Sequence, residues 1–153
     1  MWIVISLVVL CGIWCFFWFR CFTWEPQMNA SWLKSFWFSE GDGWWSYGYH
    51  YTLREKEWNY SLVYEQIAPE QYTREKNLTV EEVKKLEDEL YRWQFSEWNG
   101  FEKDNPDVLD GSSWSLNIRY HDGQEVRAHG YESYPDDFWN KTSHLTSFLN
   151  ELL

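Results

Sequence analysis

Aromatic and aliphatic side chains occupy every second position in two neighbouring stretches of this chain. The first stretch has Trp45, Tyr47, Tyr49, Tyr51 and Leu53, and the second has Trp58, Tyr60, Leu62 and Tyr64. Period-two alternation is typical of strands with one buried face, because successive side chains of a strand point to opposite faces. We therefore predict a β-hairpin whose loop is the charged run "REKE", residues 54–57, with Leu53 opposite Trp58 and Tyr51 opposite Tyr60.

A second hairpin is predicted later in the chain. Trp114, Leu116, Ile118 and Tyr120 alternate before its turn, and Val126, Ala128 and Gly130 alternate after it. A two-residue turn would place Ile118 opposite a charged residue. A three-residue loop at 121–123, with its glycine in the left-handed conformation, instead places Ile118 opposite Val126. It also places Trp114 over Gly130, where a ring can cover a strand glycine, so we prefer this loop.

Two helices are predicted from apolar stripes and end signals. The first begins after Thr79, which can cap it while Glu82 completes a capping box. Its stripe is Val83, Leu86, Leu90 and Trp93. The last helix begins near Pro135, with Asp136 and Asp137 near its positive end. Its stripe is Phe138, Leu145, Phe148, Leu149 and Leu152.

The first residues of the chain are predicted to be a membrane anchor. The 18 residues from Trp2 to Phe19 carry no charge. At about 1.5 Å per residue they span about 27 Å, close to a bilayer core of roughly 30 Å. A cleaved signal peptide would need a basic start and a small-x-small cleavage site, and the chain has neither. We therefore expect an uncleaved, single-pass membrane protein.

These elements together define the predicted fold. It is an α+β fold: an N-terminal transmembrane helix followed by a ββαββα two-layer sandwich, with an antiparallel sheet and both helices on one face. The predicted boundaries are a membrane anchor at 1–23, a linker at 24–43 and a single α+β domain at 44–153. That domain comprises a first ββα unit at 44–97, a connection at 98–113 and a second ββα unit at 114–153. Within the linker, "SFWF" adds at most a short strand.

The net charge and the cysteine positions limit which kinds of partner and which disulfides the domain can have. The formal net charge is -11, and an acidic body is repelled by nucleic acid and by the anionic cytoplasmic leaflet. The three cysteines, Cys11, Cys15 and Cys21, lie in or beside the anchor, so the soluble part forms no disulfide within itself. We expect no nucleic-acid partner and a soluble domain on the extracytoplasmic side.

The stretch "DNPDVLDG" resembles a metal loop at first sight. A calcium loop needs oxygen ligands at alternate positions, but Pro106 and Val108 occupy the third and fifth positions counted from Asp104. The stretch is better interpreted as a connection, with Asn99-Gly100 ending the first helix and Asp110-Gly111 turning into the next strand. Nucleophile, zincin and phosphate-loop motifs are missing from the sequence. We predict no metal site, no cofactor and no catalytic residue.

Aromatic residues are the unusual part of the composition, with 13 Trp, 10 Tyr and 10 Phe. Rings beside acids can stack on sugars or on cationic ligands. The candidate binding surface consists of Trp44, Trp98, Asn99, Phe101, Asp104, Asp107 and Trp139. The leading hypothesis is a membrane-tethered, non-catalytic module that contacts a protein or a glycan. The alternative is a small-ligand or cation sensor that uses the loop at 99–111.

Three segments between residues 98 and 152 carry a resemblance. They are "WNGF", "VLDGSSWSLNIRYHDGQEV" and "GYESYP" before the closing helix. Together they resemble a family of uncharacterised bacterial proteins that share W-N-G-F, a D-G-x-x-W-x-L strand start, a D-G turn and a G-x-x-x-Y/F-P helix start. The resemblance implies a bacterial source and supports the fold, and it implies no activity.

Overall fold

The computed structural model describes residues 32–42, 47–57 and 59–153, which belong to one compact unit, Ser31–Leu153. The strands are β1 (Leu33–Asp42), β2 (Gly48–Lys56), β3 (Asn59–Ala68), β4 (Tyr72–Leu78), β5 (Phe101–Asp104), β6 (Ser112–Tyr120) and β7 (Glu125–Tyr131). The helices are α1 (Val80–Arg92), a 3-10 helix (Phe95–Trp98) and α2 (Phe138–Leu152). The class is therefore α+β.

The predicted membrane anchor at 1–23 lies outside the described residues. Among the helices of the described part, none is long and apolar enough to cross a membrane. The predicted ββαββα order is wrong, because four strands precede α1 and three more precede α2 in the described part of the chain.

The strands form one sheet in the order β4-β3-β2-β1-β6-β7-β5. Neighbouring strands are antiparallel, except that β5 runs parallel to β7. The sheet is therefore mixed, and the predicted purely antiparallel sheet is wrong. β5 lies within the predicted connection at 98–113, so this connection contributes an edge strand in addition to turns.

The central strand β1 falls in the segment predicted to be a linker, 24–43. Its buried residues are Leu33, Phe36 and Phe38, whose spacing is three residues and then two. A register irregularity between Leu33 and Ser35 produces this change of spacing, because a bulge adds a residue to one strand of a pair. The period-two signal is broken there, and the sequence pattern therefore revealed only the short strand at "SFWF", residues 35–38, within the longer β1.

The sequence analysis did not predict the outer strand β4. Its sequence, "YTREKNL", is polar on both faces, and only Leu78 at its end is buried. Such charged edge strands are common because they discourage pairing with other chains. The same polarity removes the hydrophobic alternation that identifies a strand.

The first hairpin forms with a different register from the predicted one. Leu53 pairs with Leu62 and Tyr51 with Tyr64, and the strands continue to the pair Lys56 and Asn59. The loop is therefore shorter than predicted. Each partner is displaced by four positions, and because this number is even, the same side chains still share a face.

The second hairpin confirms its prediction in detail. Ile118 pairs with Val126 and Trp114 with Gly130. Gly123 has a φ of +88°, the left-handed conformation that a three-residue loop requires at its last position. The requirement that apolar side chains share a face was sufficient to choose between the two loops.

One hydrophobic core lies between the sheet and the two helices. Strand residues of one face, including Phe36, Leu53 and Ile118, belong to the same buried cluster as Leu86 of α1 and Leu149 of α2. Both helices therefore cover the same face of the sheet. No described helix or strand covers the other face, which carries mostly polar side chains, as is common for sheets with one solvated face.

The predicted capping box at the start of α1 is confirmed. The Thr79 side chain accepts a hydrogen bond from the Glu82 backbone N–H at 3.2 Å, and the Thr79 backbone N–H donates to Glu82 Oε2 at 2.8 Å. These two bonds satisfy N–H groups that have no partner within the helix.

Replacing the cap should therefore weaken the domain measurably. Thr79→Ala is expected to lower the free energy of unfolding by about 1 kcal/mol, because a helix N–H loses its acceptor. Urea unfolding monitored by circular dichroism would measure it. Ser143→Ala, on the exposed side of α2, should change stability by less than about 0.5 kcal/mol. Equal effects from the two substitutions would contradict the role of the cap.

Candidate functional site

A groove of about 430 Å³ lies between α1 and the β6–β7 hairpin. We call it the acidic groove, and the side chains that define it are Trp32, Glu87, Asp88, Tyr91, Tyr120, Asp122 and Glu125. Among the described residues, neither a lysine nor an arginine lines it. The groove therefore combines three aromatic rings with charged side chains that are all acidic.

Backbone hydrogen bonds fix Trp32 at the mouth of the acidic groove. Its backbone N–H donates to Glu87 Oε2 at 3.2 Å, and its carbonyl accepts from the His121 N–H at 2.8 Å. The start of β1 is thereby attached to both walls, α1 and the hairpin turn. The indole itself is 61% exposed, and the Tyr91 ring on α1 is 86% exposed. Large rings this exposed are available for contact with a ligand.

The negative charge of the groove acts on its own tyrosine. Burial raises the pKa of Tyr120, and the nearby carboxylates of Glu87 and Asp122 raise it further. Glu125 is different, because hydrogen bonds from Arg127, Arg119 and Asn117 lower its pKa to about 2. Glu125 therefore belongs to a surface network in which arginines balance its charge. The carboxylates that act on Tyr120 are Glu87 on α1 and Asp122 in the hairpin turn.

This arrangement suits positively charged groups. A cation over a ring face gains about 0.5–1 kcal/mol at an exposed site, and adjacent carboxylates add attraction that depends on ionic strength. The groove volume lies within the range usual for ligand sites. An open groove of this kind can accept the side chains of an extended segment.

The sequence-predicted surface is divided between core and exterior. Trp44 lies outside the described residues. Trp98 is 3% exposed, with its ring stacked on Phe138 at 5.5 Å and its Nε1–H donating to Asp137 at 2.9 Å. Asn99 accepts a hydrogen bond from the Arg127 backbone N–H at 3.0 Å, and so ties the 3-10 helix to β7. Both residues have structural roles.

The remaining predicted residues lie near that buried cluster or beyond it. Phe101 is half-buried, 5.6 Å from the ring of Trp114. Trp139 is exposed, and its ring centre is 5.0 Å from that of Tyr134. Asp104 and Asp107 are exposed, at the end of β5 and in the turn after it. These residues therefore do not converge on one pocket.

The cation-binding alternative at 99–111 gains no support from the geometry. In the described part of the chain, His, Cys, Asp and Glu side chains form no group of three that could hold a metal ion. The Asn105 side chain instead accepts a hydrogen bond from the Asp107 backbone N–H at 3.2 Å, which is the usual behaviour of asparagine in turns.

Sequence patterns did not reveal the acidic groove. Trp32 lies in the segment predicted to be a linker, Tyr91 lies on the polar side of α1, and Asp122 lies in a hairpin turn. The pairing of β1 with β6 brings Trp32 beside the hairpin turn, and a hydrogen bond from Trp32 to Glu87 joins this end of β1 to α1. A local signal was present on α1, where Glu87 and Asp88 lie four and three positions before Tyr91.

Comparisons with known proteins give no assignment. No protein-family model matches the chain, and no curated protein matches it. The resemblance carried by "WNGF", "VLDGSSWSLNIRYHDGQEV" and "GYESYP" stays a prediction, and the function must be inferred from the geometry.

Proposed function

We propose that the protein is a non-catalytic interaction module whose acidic groove binds a lysine- or arginine-rich segment of a partner protein. The observation that supports this proposal most directly is the presence of two exposed rings, Trp32 and Tyr91, beside carboxylates in one groove. A basic segment can place its charged groups over the rings and its remaining N–H donors on the carboxylates.

The overall charge favours the same class of partner. A net charge of -11 steers basic molecules towards the protein and repels acidic ones. Long-range attraction alone would be spread over the whole surface, however. The proposal is more specific, because it localises binding at the two exposed rings and requires contact with them.

Binding can be measured by fluorescence anisotropy with a labelled octa-arginine peptide and the full chain, kept in solution with a non-ionic detergent because residues 2–19 are uncharged. Tyr91→Ala should weaken binding by about two- to fivefold, equivalent to the roughly 0.5–1 kcal/mol of an exposed cation–ring contact. Tyr72→Ala is the matched control, because it also removes an exposed tyrosine but lies on β4. It should leave the affinity unchanged.

A charge control separates the groove from general electrostatic attraction. Asp88→Lys in the groove and Asp104→Lys on β5 change the net charge by the same amount, and both positions are exposed. Asp88→Lys should weaken binding far more than Asp104→Lys. Equal losses from the two substitutions would show non-specific attraction and overturn the proposal, as would equal effects of Tyr91→Ala and Tyr72→Ala.

A further inference from the structure

Four tyrosines form a row of contacting rings on the helix-facing side of the sheet. We call Tyr47, Tyr49, Tyr64 and Tyr72 the tyrosine row. The ring centre of Tyr49 lies 5.8 Å from that of Tyr47 and 6.2 Å from that of Tyr64. The ring centre of Tyr72 lies 6.2 Å from that of Tyr64. The row therefore begins just before β2 and crosses β2, β3 and β4.

Strand pairing places the first three rings on one face. Tyr64 is directly opposite Tyr51, a core residue that is 2% exposed, and paired residues of neighbouring strands point to the same face. Side chains two positions apart along a strand also share a face. Tyr49 therefore lies on the side of Tyr51, and Tyr47 lies on the side of Tyr49.

Tyr72 continues the row on the same face. It is two positions before Arg74, which is directly opposite Tyr64. The Arg74 guanidinium carbon lies 5.9 Å from the centre of the Tyr64 ring, and its Nη2 donates to Asn150 Oδ1 of α2 at 3.2 Å. This end of the row therefore carries a positive charge that is held in place by a ring and by a helix.

A carboxylate lies at the other end of the row. Glu40 on β1 is directly opposite Tyr49, and its Oε2 accepts a hydrogen bond from the Tyr49 hydroxyl at 2.7 Å. The same carboxylate lies close enough to Tyr47 to raise the pKa of its hydroxyl, in addition to the effect of burial. The tyrosine row is therefore negative at its Tyr47 end and positive at Arg74.

The helices leave both ends of the row uncovered. Tyr47 is 51% exposed and Tyr72 is 50% exposed. The middle rings, Tyr49 and Tyr64, are half-buried and pack against the core. The Tyr64 hydroxyl also donates to Gln66 Oε1 at 3.2 Å. Rings fixed in this way lose little conformational entropy when a ligand packs against them.

The spacing of the rings suits an extended, proline-rich ligand. A polyproline II segment rises about 3.1 Å per residue, so about two residues cover the step from one ring to the next. Proline-rich segments dock on aromatic surfaces because this conformation is already formed before binding. The match between the two spacings therefore favours a ligand that lies along the row.

The hydroxyl groups of the row suit the same ligand. A polyproline II segment has no internal hydrogen bonds, so its carbonyl oxygens are available to accept from a tyrosine hydroxyl. Burial raises the pKa of Tyr47 and of Tyr64, and both hydroxyls therefore stay protonated at neutral pH. The half-exposed Tyr47 and Tyr72 at the two ends can donate to such a carbonyl oxygen.

We propose that the tyrosine row binds a proline-rich segment of a partner protein, with a lysine or arginine beside the prolines placed at Glu40. Charge complementarity supports this orientation, because a basic residue is attracted to Glu40 and repelled from Arg74. The row shares no residue with the acidic groove. Its ligand therefore does not depend on the partner proposed for the groove.

Fluorescence anisotropy with the full chain in non-ionic detergent would test this proposal. The probes are two labelled peptides of eight prolines, one with an arginine at its amino end and the other with an arginine at its carboxyl end. At least one should bind with a sub-millimolar dissociation constant. A peptide of the same charge, with serine in place of every proline, should bind at least about tenfold more weakly, because it does not hold the polyproline II conformation.

Substitutions at the two ends of the row test its contact with the peptide. Tyr47→Ala and Tyr72→Ala should each weaken binding by about five- to tenfold, as is usual for an important aromatic contact. Tyr91→Ala is the matched control, because it also removes an exposed tyrosine but lies in the acidic groove. It should leave proline-peptide binding unchanged. The octa-arginine titration should show the reverse pattern for Tyr72→Ala and Tyr91→Ala, so failure at one site is distinguishable from failure at the other.

A second pair of substitutions tests the placement of the basic residue. Glu40→Gln removes the charge but keeps an oxygen that can accept from the Tyr49 hydroxyl, and it should weaken peptide binding by about two- to fivefold. Glu75→Gln changes the net charge equally, but it lies on the opposite face of β4 from Arg74 and is exposed. It should have no effect. Equal losses from the two substitutions would contradict the placement at Glu40.

Three results would overturn the proposed site. The first is the failure of both proline peptides to bind at millimolar concentration while the chain retains its native circular dichroism. The second is an equal loss of affinity in Tyr72→Ala and Tyr91→Ala. The third is a dimer of the chain that Tyr72→Ala dissociates while neither proline peptide binds, because the row would then be a contact between two copies.

Discussion

Trp98→Ala should lower the free energy of unfolding by about 3–5 kcal/mol, the usual cost of removing a large ring from a core. The indole is buried among Phe95, Trp114 and Phe138, with ring centres 5.0, 5.4 and 5.5 Å away. Its Nε1–H also donates to Asp137, so the substitution leaves that carboxylate with one hydrogen bond fewer. Urea unfolding monitored by circular dichroism would measure the change.

Trp139→Ala is the matched comparison, because the sequence placed both tryptophans on the candidate binding surface. Trp139 is 62% exposed, and its removal should cost less than about 1 kcal/mol. Similar small effects at the two positions would contradict the assignment of Trp98 to the core. They would also return Trp98 to consideration as a contact residue.

Gly130→Ala should destabilise the domain by about 3 kcal/mol, through overpacking and the loss of a hydrogen bond. A Cβ at this position would overlap the Ser133 carbonyl oxygen and lie 2.6 Å from Trp114 Nε1. These two atoms are joined by a hydrogen bond of 2.9 Å. The added methyl group therefore separates the partners as well as displacing the ring. Loss of stability should be accompanied by a change in the near-ultraviolet circular dichroism of tryptophan.

Gly100→Ala separates the effect of space from the effect of backbone conformation. Gly100 has a φ of +79°, and a Cβ there would meet nothing within 4 Å. Only the left-handed conformation opposes this substitution, at a cost of about 1–2 kcal/mol. A loss at Gly100 equal to or larger than that at Gly130 would show that the Trp114 contact does not limit residue 130.

Local chemistry made parts of the fold predictable from the sequence. The capping box of α1 needs only Thr79 and Glu82, which are three positions apart, and the hairpin at 121–123 needs only that apolar side chains share a face. Both predictions are confirmed. In the first hairpin, the predicted side chains share a face but the predicted register is wrong. The charged residues that were predicted to form the loop continue the strand to Lys56.

The features that sequence patterns did not predict depend on tertiary contacts. Lys141 does not belong to the predicted apolar stripe of the last helix, yet it is 6% exposed. Its Nζ lies 2.6 Å from Asp137 Oδ2 and donates to the Gln94 carbonyl oxygen at 3.2 Å. Asp137 is a local partner, four positions before Lys141, but Gln94 belongs to the segment that follows α1, and no local pattern reveals that contact. The acidic groove escaped prediction for the same reason, because it combines residues from distant parts of the chain.

The central position of β1 has a consequence for the order in which the protein can form. Trp37 on β1 and Ser115 on β6, which share a hydrogen bond, are 78 positions apart. A chain emerging from the ribosome can pair β1 with β2 early, but the other side of β1 stays an unpaired edge until β6 has been synthesised. The edge of β1 that pairs with β6 is therefore exposed to pairing with other chains during synthesis, until the second half of the chain is available to cover it.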